Sequence, residues 1–344
     1  MRVLIIGGTG FIGPYVVREL VGAGHEVAVF HRGEHRGDLP AGVRHVQSAA
    51  AGIPVISLPD EVRAELRSVA PDVVLDMIAM GEADARTLME TFRGVAGRVV
   101  AVSSADVYRV YSRVMGEELG VPDRRALTEE SPLRKKLFPY RAQAAGAGDW
   151  RHDYEKILVE RVVMNDPQLP GTVLRLPAVY GPGDDKHRLF PYIKRMDDAR
   201  PAILMSTGQA AWRWTHGYVE DVAAAIAMAV MQEKAAGRIY NVGEENTPTV
   251  GARLRLLKRI AGWPGQLMFV PRRFLPVHLR DKHNYRQDMV IDSSRIREEL
   301  GWREKILPEE GLRRTIEWER AHPPEVDPKQ FDYEAEDEVL VFSR

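Results

Sequence analysis

The sequence predicts an α/β protein: a doubly wound parallel sheet with a smaller C-terminal region built onto it. Three observations carry that expectation. Short β-rich runs alternate with stretches of helical spacing through the first half of the 344 residues, the pattern of strand–helix–strand units. Val3–Ile6, Val27–Phe30 and Val99–Val102 are apolar at every position, as strands covered on both faces must be. A glycine-rich turn, Gly7 to Gly13, joins the first strand to the first helical stretch.

Taken in order, Val3–Ile6 reads as a strand. Ile12–Val21 has apolar residues at 12, 16, 17, 20 and 21, which is helical spacing. Pro14 falls in its first turn, where a missing N–H costs little, and Gly22 and Gly24 end it. Val27–Phe30 is the second strand. Val43–Val46, Val73–Ile78, Val99–Val102 and Val173–Leu176 are further strands, with helices over Asp60–Val69 and Asp84–Phe92 among them. After about residue 180 the alternation fades, and Pro and Gly cluster at Gly181-Pro182-Gly183 and Trp263-Pro264-Gly265. Val219–Met231 and Ile239–Val242 read as a return to the main sheet. The tail after Pro324 is acidic and aromatic and has no assignment.

Composition removes several function classes. The chain has 48 basic and 49 acidic residues, a net charge of -1, which argues against a nucleic-acid binder relying on bulk positive charge. It contains no cysteine, so disulfides, zinc thiolates and a cysteine nucleophile are excluded. The N-terminal apolar run is too short for a signal-peptide core, and the run Val222–Met231 is too short to span a bilayer. A cytoplasmic protein is expected.

Gly7-Gly8-Thr9-Gly10-Phe11-Ile12-Gly13 lies between a strand and a helix, the context that gives G-x-G-x-x-G its meaning. The glycines permit a tight turn and let the backbone approach a pyrophosphate, while the helix N-terminus offers unpaired N–H groups. The turn reads as a Rossmann-type dinucleotide site, with Gly7, Thr9, Gly10, Phe11, Ile12 and Gly13 as expected cofactor contacts; the alternative is a purely structural turn. An NAD site usually ends the second strand with an acid that binds the ribose 2′-hydroxyl. Here Phe30 is followed by His31 and Arg32, both expected as cofactor contacts. Arg32 suits a 2′-phosphate, so NADP is preferred over NAD; the alternative is a loop arginine stacked on the adenine. His31 and His35 lie on a loop with no further ligand evident, and no metal site is expected. Residues 1–180 with 218–245 are expected to form the dinucleotide-binding domain, and 181–217 with 246–344 the substrate-binding region.

An ordered set of motifs follows: Val102-Ser103-Ser104-Ala105-Asp106-Val107-Tyr108, Lys156-Ile157-Leu158-Val159-Glu160, Leu174 to Pro182, Gly217 to Ala223, Tyr240-Asn241-Val242-Gly243, and Asp292-Ser293-Ser294-Arg295 leading to Leu300-Gly301-Trp302. Together with the glycine turn, over about residues 1–320, the set resembles the extended short-chain dehydrogenase/reductase family, also called the NAD-dependent epimerase/dehydratase family. That resemblance implies hydride transfer at a hydroxyl or carbonyl carbon of a sugar-nucleotide-like or other polar small molecule. It also implies a homodimer packed through helices that include the one carrying Lys156. Members use a serine, a tyrosine and a lysine, the last two spaced Y-x-x-x-K. Ser104 matches the serine, and Lys156 the lysine, which also holds the nicotinamide ribose.

The tyrosine position does not match. His152 stands four residues before Lys156, and Tyr154 only two before it. On a regular helix Tyr154 would face away from Lys156, so it serves only if the helix starts late or bulges, and otherwise has a packing or solvent-contact role. His152 either replaces the tyrosine as acid/base or fills space in a site that has lost carbonyl chemistry. Tyr140 lies in a nearby loop. Arg213, Trp214 and Arg286 are substrate candidates, for an anionic group or a stacked ring. The contrasting reading is a non-catalytic cofactor-binding protein, akin to the stem-loop RNA-binding relatives, with Arg134-Lys135-Lys136 as a phosphate contact.

Overall fold

The computed structural model describes residues 1–33, 38–47 and 58–342. Among the described residues eleven strands run in order as β1 Arg2–Ile6, β2 Glu26–His31, β3 Arg44–Gln47, β4 Val73–Asp76, β5 Arg98–Ser104, β6 Gly171–Leu176, β7 Ala178–Tyr180, β8 Ala202–Ser206, β9 His216–Tyr218, β10 Ile239–Asn241 and β11 Gln266–Val270. The helices are α1 Gly13–Gly22, α2 Asp60–Ser68, α3 Glu82–Phe92, α4 Arg109–Val114, α5 Trp150–Asp153, α6 Lys156–Met164, α7 Phe190–Asp197, α8 Thr207–Ala211, α9 Val219–Met231, α10 Val250–Ala261, α11 Ser294–Leu300, α12 Pro308–Ala321 and α13 Tyr333–Phe342.

Seven strands form one parallel sheet in the order β10-β6-β5-β4-β1-β2-β3. The alternation of side chains along each strand divides the core in two. Val3, Ile5, Val27, Val29, Val100 and Leu174 face the layer of α1 and α9. Leu4, Ile6, Ala28, Phe30, Val99 and Val173 face that of α2, α3 and α6. An all-parallel sheet needs both covers, which is why the strands read as unbroken apolar runs. The elements beyond the sheet pair separately, β7 with β9 and β8 with β11.

The chain order reverses at β1 and β4, which are neighbours in the sheet. At such a switch point the loops leaving the carboxyl ends of the two strands diverge and open a crevice. The glycine turn leaves β1 there, the segment 77–81 leaves β4, and Ser104 closes β5 one strand further on. The strand expected over Val73–Ile78 ends early, at Asp76. Asp76 bends back to accept the N–H groups of Ile78 and Ala79, each at 2.9 Å, and stops the ladder. No helix among the described residues is long and apolar enough to cross a membrane.

Candidate active site

The turn after β1 is built around close approaches that admit no side chain. A Cβ on Gly13 would lie 2.3 Å from the Gly8 carbonyl oxygen, and one on Gly7, at φ +86°, 2.3 Å from Ile78. Gly10 is exposed, and a Cβ there would meet nothing within 4 Å. The turn is closed by Gly13 N–H to Gly10 C=O at 3.1 Å and tied to β2 by Gly7 N–H to Phe30 C=O at 3.0 Å. Pro14 sits at the start of α1, where its missing N–H costs nothing. The arrangement fits a dinucleotide pyrophosphate: a backbone cradle, an open approach over Gly10 and a helix N-terminus.

At the end of β2, His31 is buried and accepts the Gly33 N–H at Nδ1, 3.1 Å. Its Nε2 therefore carries the proton and donates to His45 Nδ1 at 3.0 Å. Both ring nitrogens are thus engaged within the protein. Arg32 is exposed beside it. His35 falls outside the described residues, and among those described no group of three or more His, Asp or Glu could hold a metal.

The second half of the site gathers at the carboxyl end of β5. Lys156 is buried and donates to the Ala79 carbonyl at 2.6 Å and the Val102 carbonyl at 3.0 Å. Burial pushes its ammonium down, opposed by the carboxylates of Asp76, Asp106 and Asp84. Tyr154 lies beside it, 8% exposed, with the ammonium 5.9 Å from the ring centroid. The Tyr154 hydroxyl donates to Asp106 Oδ2 at 2.8 Å. Ser104 in turn accepts the Asp106 N–H at 3.2 Å. Tyr140 donates to the same Asp106 oxygen at 3.1 Å and shares a 2.8 Å bond with Tyr111.

The position of Tyr154 follows from a helix break. The four-residue α5 ends at Asp153, and α6 starts afresh at Lys156. Between them Tyr154 and Glu155 are extended. Glu155 holds the new start: its carboxylate accepts the Ile157 N–H at 2.9 Å and is paired with Arg134 at 3.0 and 3.2 Å. Its N–H donates to Met80 C=O at 2.7 Å, drawing the break against the loop after β4. The helix thus starts late, and the spacing rule for one continuous helix does not apply. His152 remains on α5 with its side chain 37% exposed and Nδ1 2.8 Å from Asp153 Oδ1.

The other named residues lie apart. Arg213 donates to the Thr247 carbonyl at 3.1 Å and lines a cavity of about 370 Å³ with Glu244, Thr247 and Arg253, away from the Tyr154 cluster. Trp214 stacks on Trp212 and tilts against His216. Arg286 is exposed on the loop before Gln287. Of the basic run 134–136, Arg134 is buried against Glu155, and Lys136 is 3.5 Å from Glu117.

A sequence profile of the NAD dependent epimerase/dehydratase family matches residues 3–243. The chain belongs to this family. Among the relatives of this chain, the 2'-dehydrokanamycin reductase of Streptomyces kanamyceticus is 27% identical, the match covering 90% of this chain and 79% of that protein. A dTDP-glucose 4,6-dehydratase of Salmonella typhimurium is 25% identical over 92% of each. The solved UDP-glucose 4-epimerase of Thermus thermophilus, a complex with NAD, superposes with a TM-score of 0.67 at 23% identity, covering 94% of this chain and all of that one. Relatives of this extended family thus include reductases, dehydratases and epimerases, and its coenzyme is NAD-type.

Proposed function

We propose that this chain is an NADP-preferring enzyme of the family in which Tyr154, rather than His152, exchanges a proton with the substrate. The observation that carries the reading is the convergence of the Tyr154 hydroxyl, Ser104 and the Lys156 ammonium at the end of β5, one strand from the β1–β4 crevice. When bound, the nicotinamide coenzyme supplies two-electron oxidation or reduction at a hydroxyl or carbonyl carbon. The glycine turn holds its pyrophosphate, and Lys156, with two of its three protons spent on backbone carbonyls, keeps one for the ribose. Ser104 orients the reacting oxygen, and Tyr154 takes or returns its proton.

The substrate is a polar small molecule of the sugar-nucleotide kind, as the names of the relatives suggest, with Arg213, Trp214 and Arg286 as candidates for its distal group. The preference for NADP rests on Arg32 where an acid would repel a 2′-phosphate. A homodimer through α3 and α6, whose exposed rows include Arg86, Glu90 and Arg161, and a cytoplasmic setting complete the reading. The inward turn of Arg134 favours the enzyme over the RNA-binding alternative.

The test is coenzyme titration by fluorescence. Arg32→Ala is expected to weaken NADPH binding at least tenfold more than NADH binding. Equal losses would remove the NADP assignment, and no binding of either coenzyme to the wild type would remove the enzyme reading.

A further inference from the structure

A tyrosine that serves as a base is ordinarily helped toward its phenolate by nearby positive charge. The surroundings of Tyr154 act the other way. Its phenol is pushed well above its ordinary value, first by burial and then by the Asp106 carboxylate beside it. The single phenolic proton is committed to Asp106 Oδ2 at 2.8 Å, because an ionised carboxylate only accepts. Tyr154 therefore gives a proton to a substrate carbonyl only as Asp106 returns one, and does not shed its own readily to solvent.

Asp106 is set up to receive that proton. It is buried at the start of the turn after β5. Its Oδ2 collects the hydroxyls of both Tyr154 and Tyr140, while Oδ1 has no hydrogen-bond partner among the described residues. The guanidinium of Arg134 approaches Oδ1 only to 4.0 Å, its charge already matched by Glu155. The groups that bear on Asp106 are thus Arg134, Lys156, Tyr154 and Tyr140, with Tyr111 behind Tyr140. Burial raises its carboxyl and Arg134 pulls it back, leaving it above the ordinary aspartate range.

We propose that Tyr154 and Asp106 work as one proton-exchanging pair in which the carboxylate, not the phenolate, is the final acceptor. When a substrate hydroxyl is oxidised, its O–H bond breaks as a phenol O–H forms on Tyr154. The original phenol O–H breaks in turn as a carboxyl O–H forms on Asp106 Oδ2. The proton count is unchanged and no phenolate accumulates; the accompanying oxidation of the carbon belongs to the nicotinamide coenzyme of the proposed function, on which this inference rests. Tyr140 and Tyr111, both half-buried, continue the hydrogen-bonded line from Asp106 outward. Asp106 acts through Tyr154, as a positioning and proton-storing residue.

The test uses the coenzyme-free full chain, so it stands apart from the coenzyme titration above. Tyrosinate absorbance is followed against pH in wild type, Asp106→Asn, Asp106→Glu, Tyr154→Phe and the Asp106→Asn/Tyr154→Phe double variant. The infrared band of protonated carboxyl is followed in parallel, with thermal unfolding as the fold control. The signal lost with Tyr154→Phe isolates one phenol. In the wild type it is expected to ionise above about 10, and in Asp106→Asn at least tenfold more readily, with Asp106→Glu restoring the wild-type value. A carboxyl band that grows as pH falls through a value above about 4, and is missing in Asp106→Asn, is expected beside it. Ionisation of Tyr154 near neutrality in the wild type would overturn the pairing, as would an Asp106 band that appears only below about pH 4. An Asp106→Asn variant that unfolds leaves the Asp106→Glu chain and the wild-type band to decide the same question.

Discussion

At the scale of single residues, the site turns on which side chain the break before Lys156 sends inward. Tyr154→Phe is expected to reduce turnover by about 10²–10⁴-fold, the usual worth of a positioned acid/base, with coenzyme affinity and melting temperature near wild type. His152→Phe is expected to leave turnover within about twofold, since that ring is half-exposed and bound to its neighbour Asp153. A loss in the second variant comparable to the first would return the role to His152. A different residue, Asp76, gives a stability prediction. Burial, only partly offset by its two backbone N–H bonds and by Lys156, pushes its carboxyl up to about 6. A carboxyl raised on folding stabilises the fold fully below its unfolded value, and that contribution fades as pH rises through the folded value. Asp76→Asn keeps an oxygen for Ile78 and Ala79 and carries no charge to bury. The stability difference should therefore move in favour of the variant by about 3 kcal/mol between roughly pH 4 and pH 8, as read by urea unfolding. A difference that does not change with pH would show that Asp76 titrates normally.

At the scale of elements, the glycine turn separates folding from binding. Gly13→Ala would place a methyl on the Gly8 carbonyl and should lower the melting temperature along with coenzyme affinity. Gly10→Ala meets open space, so it should keep the wild-type melting temperature while weakening coenzyme binding, measured by titration calorimetry. Unchanged affinity in Gly10→Ala would mean the pyrophosphate does not come over this residue. The geometry of this turn was legible in the sequence because glycine spacing, strand context and Pro14 each speak locally. The strands of the sheet were legible for the same reason, since burial on both faces leaves nearly uninterrupted apolar runs. The half of the site around Lys156 was not. Whether α6 begins at residue 156 or a turn earlier depends on Glu155 meeting Arg134, twenty-one residues upstream, and glutamate is not among the favoured helix caps. Asp106 sat in plain view two residues after Ser104, but its tyrosine partners come from positions 140 and 154, which only the fold brings together.

At the scale of the whole molecule, one buried network ties the site to the sheet. Glu160 on α6 accepts from Ser103 on β5 at 2.6 Å and pairs with Arg175 on β6 at 2.6 and 2.9 Å. Arg175 reaches the Tyr108 hydroxyl at 3.0 Å, and Tyr108 donates to Asn241 on β10 at 2.6 Å. Four elements thus share one set of satisfied charges. Removing a single partner leaves the guanidinium buried and unpaired, so Glu160→Ala should cost about 3–5 kcal/mol in urea unfolding. A loss under about 1 kcal/mol would mean that water replaces the carboxylate.

The interruption between α5 and α6 also bears on how such chains are found. Because Tyr154 reaches Asp106 and Lys156 from an extended dipeptide, its distance along the chain from Lys156 is not governed by helical pitch. Insertions or deletions upstream of Glu155 can be absorbed in α5 without moving the phenol. A search keyed to a tyrosine four positions ahead of the lysine would pass over this chain, although the Lys156 ammonium lies 5.9 Å from the Tyr154 ring centroid.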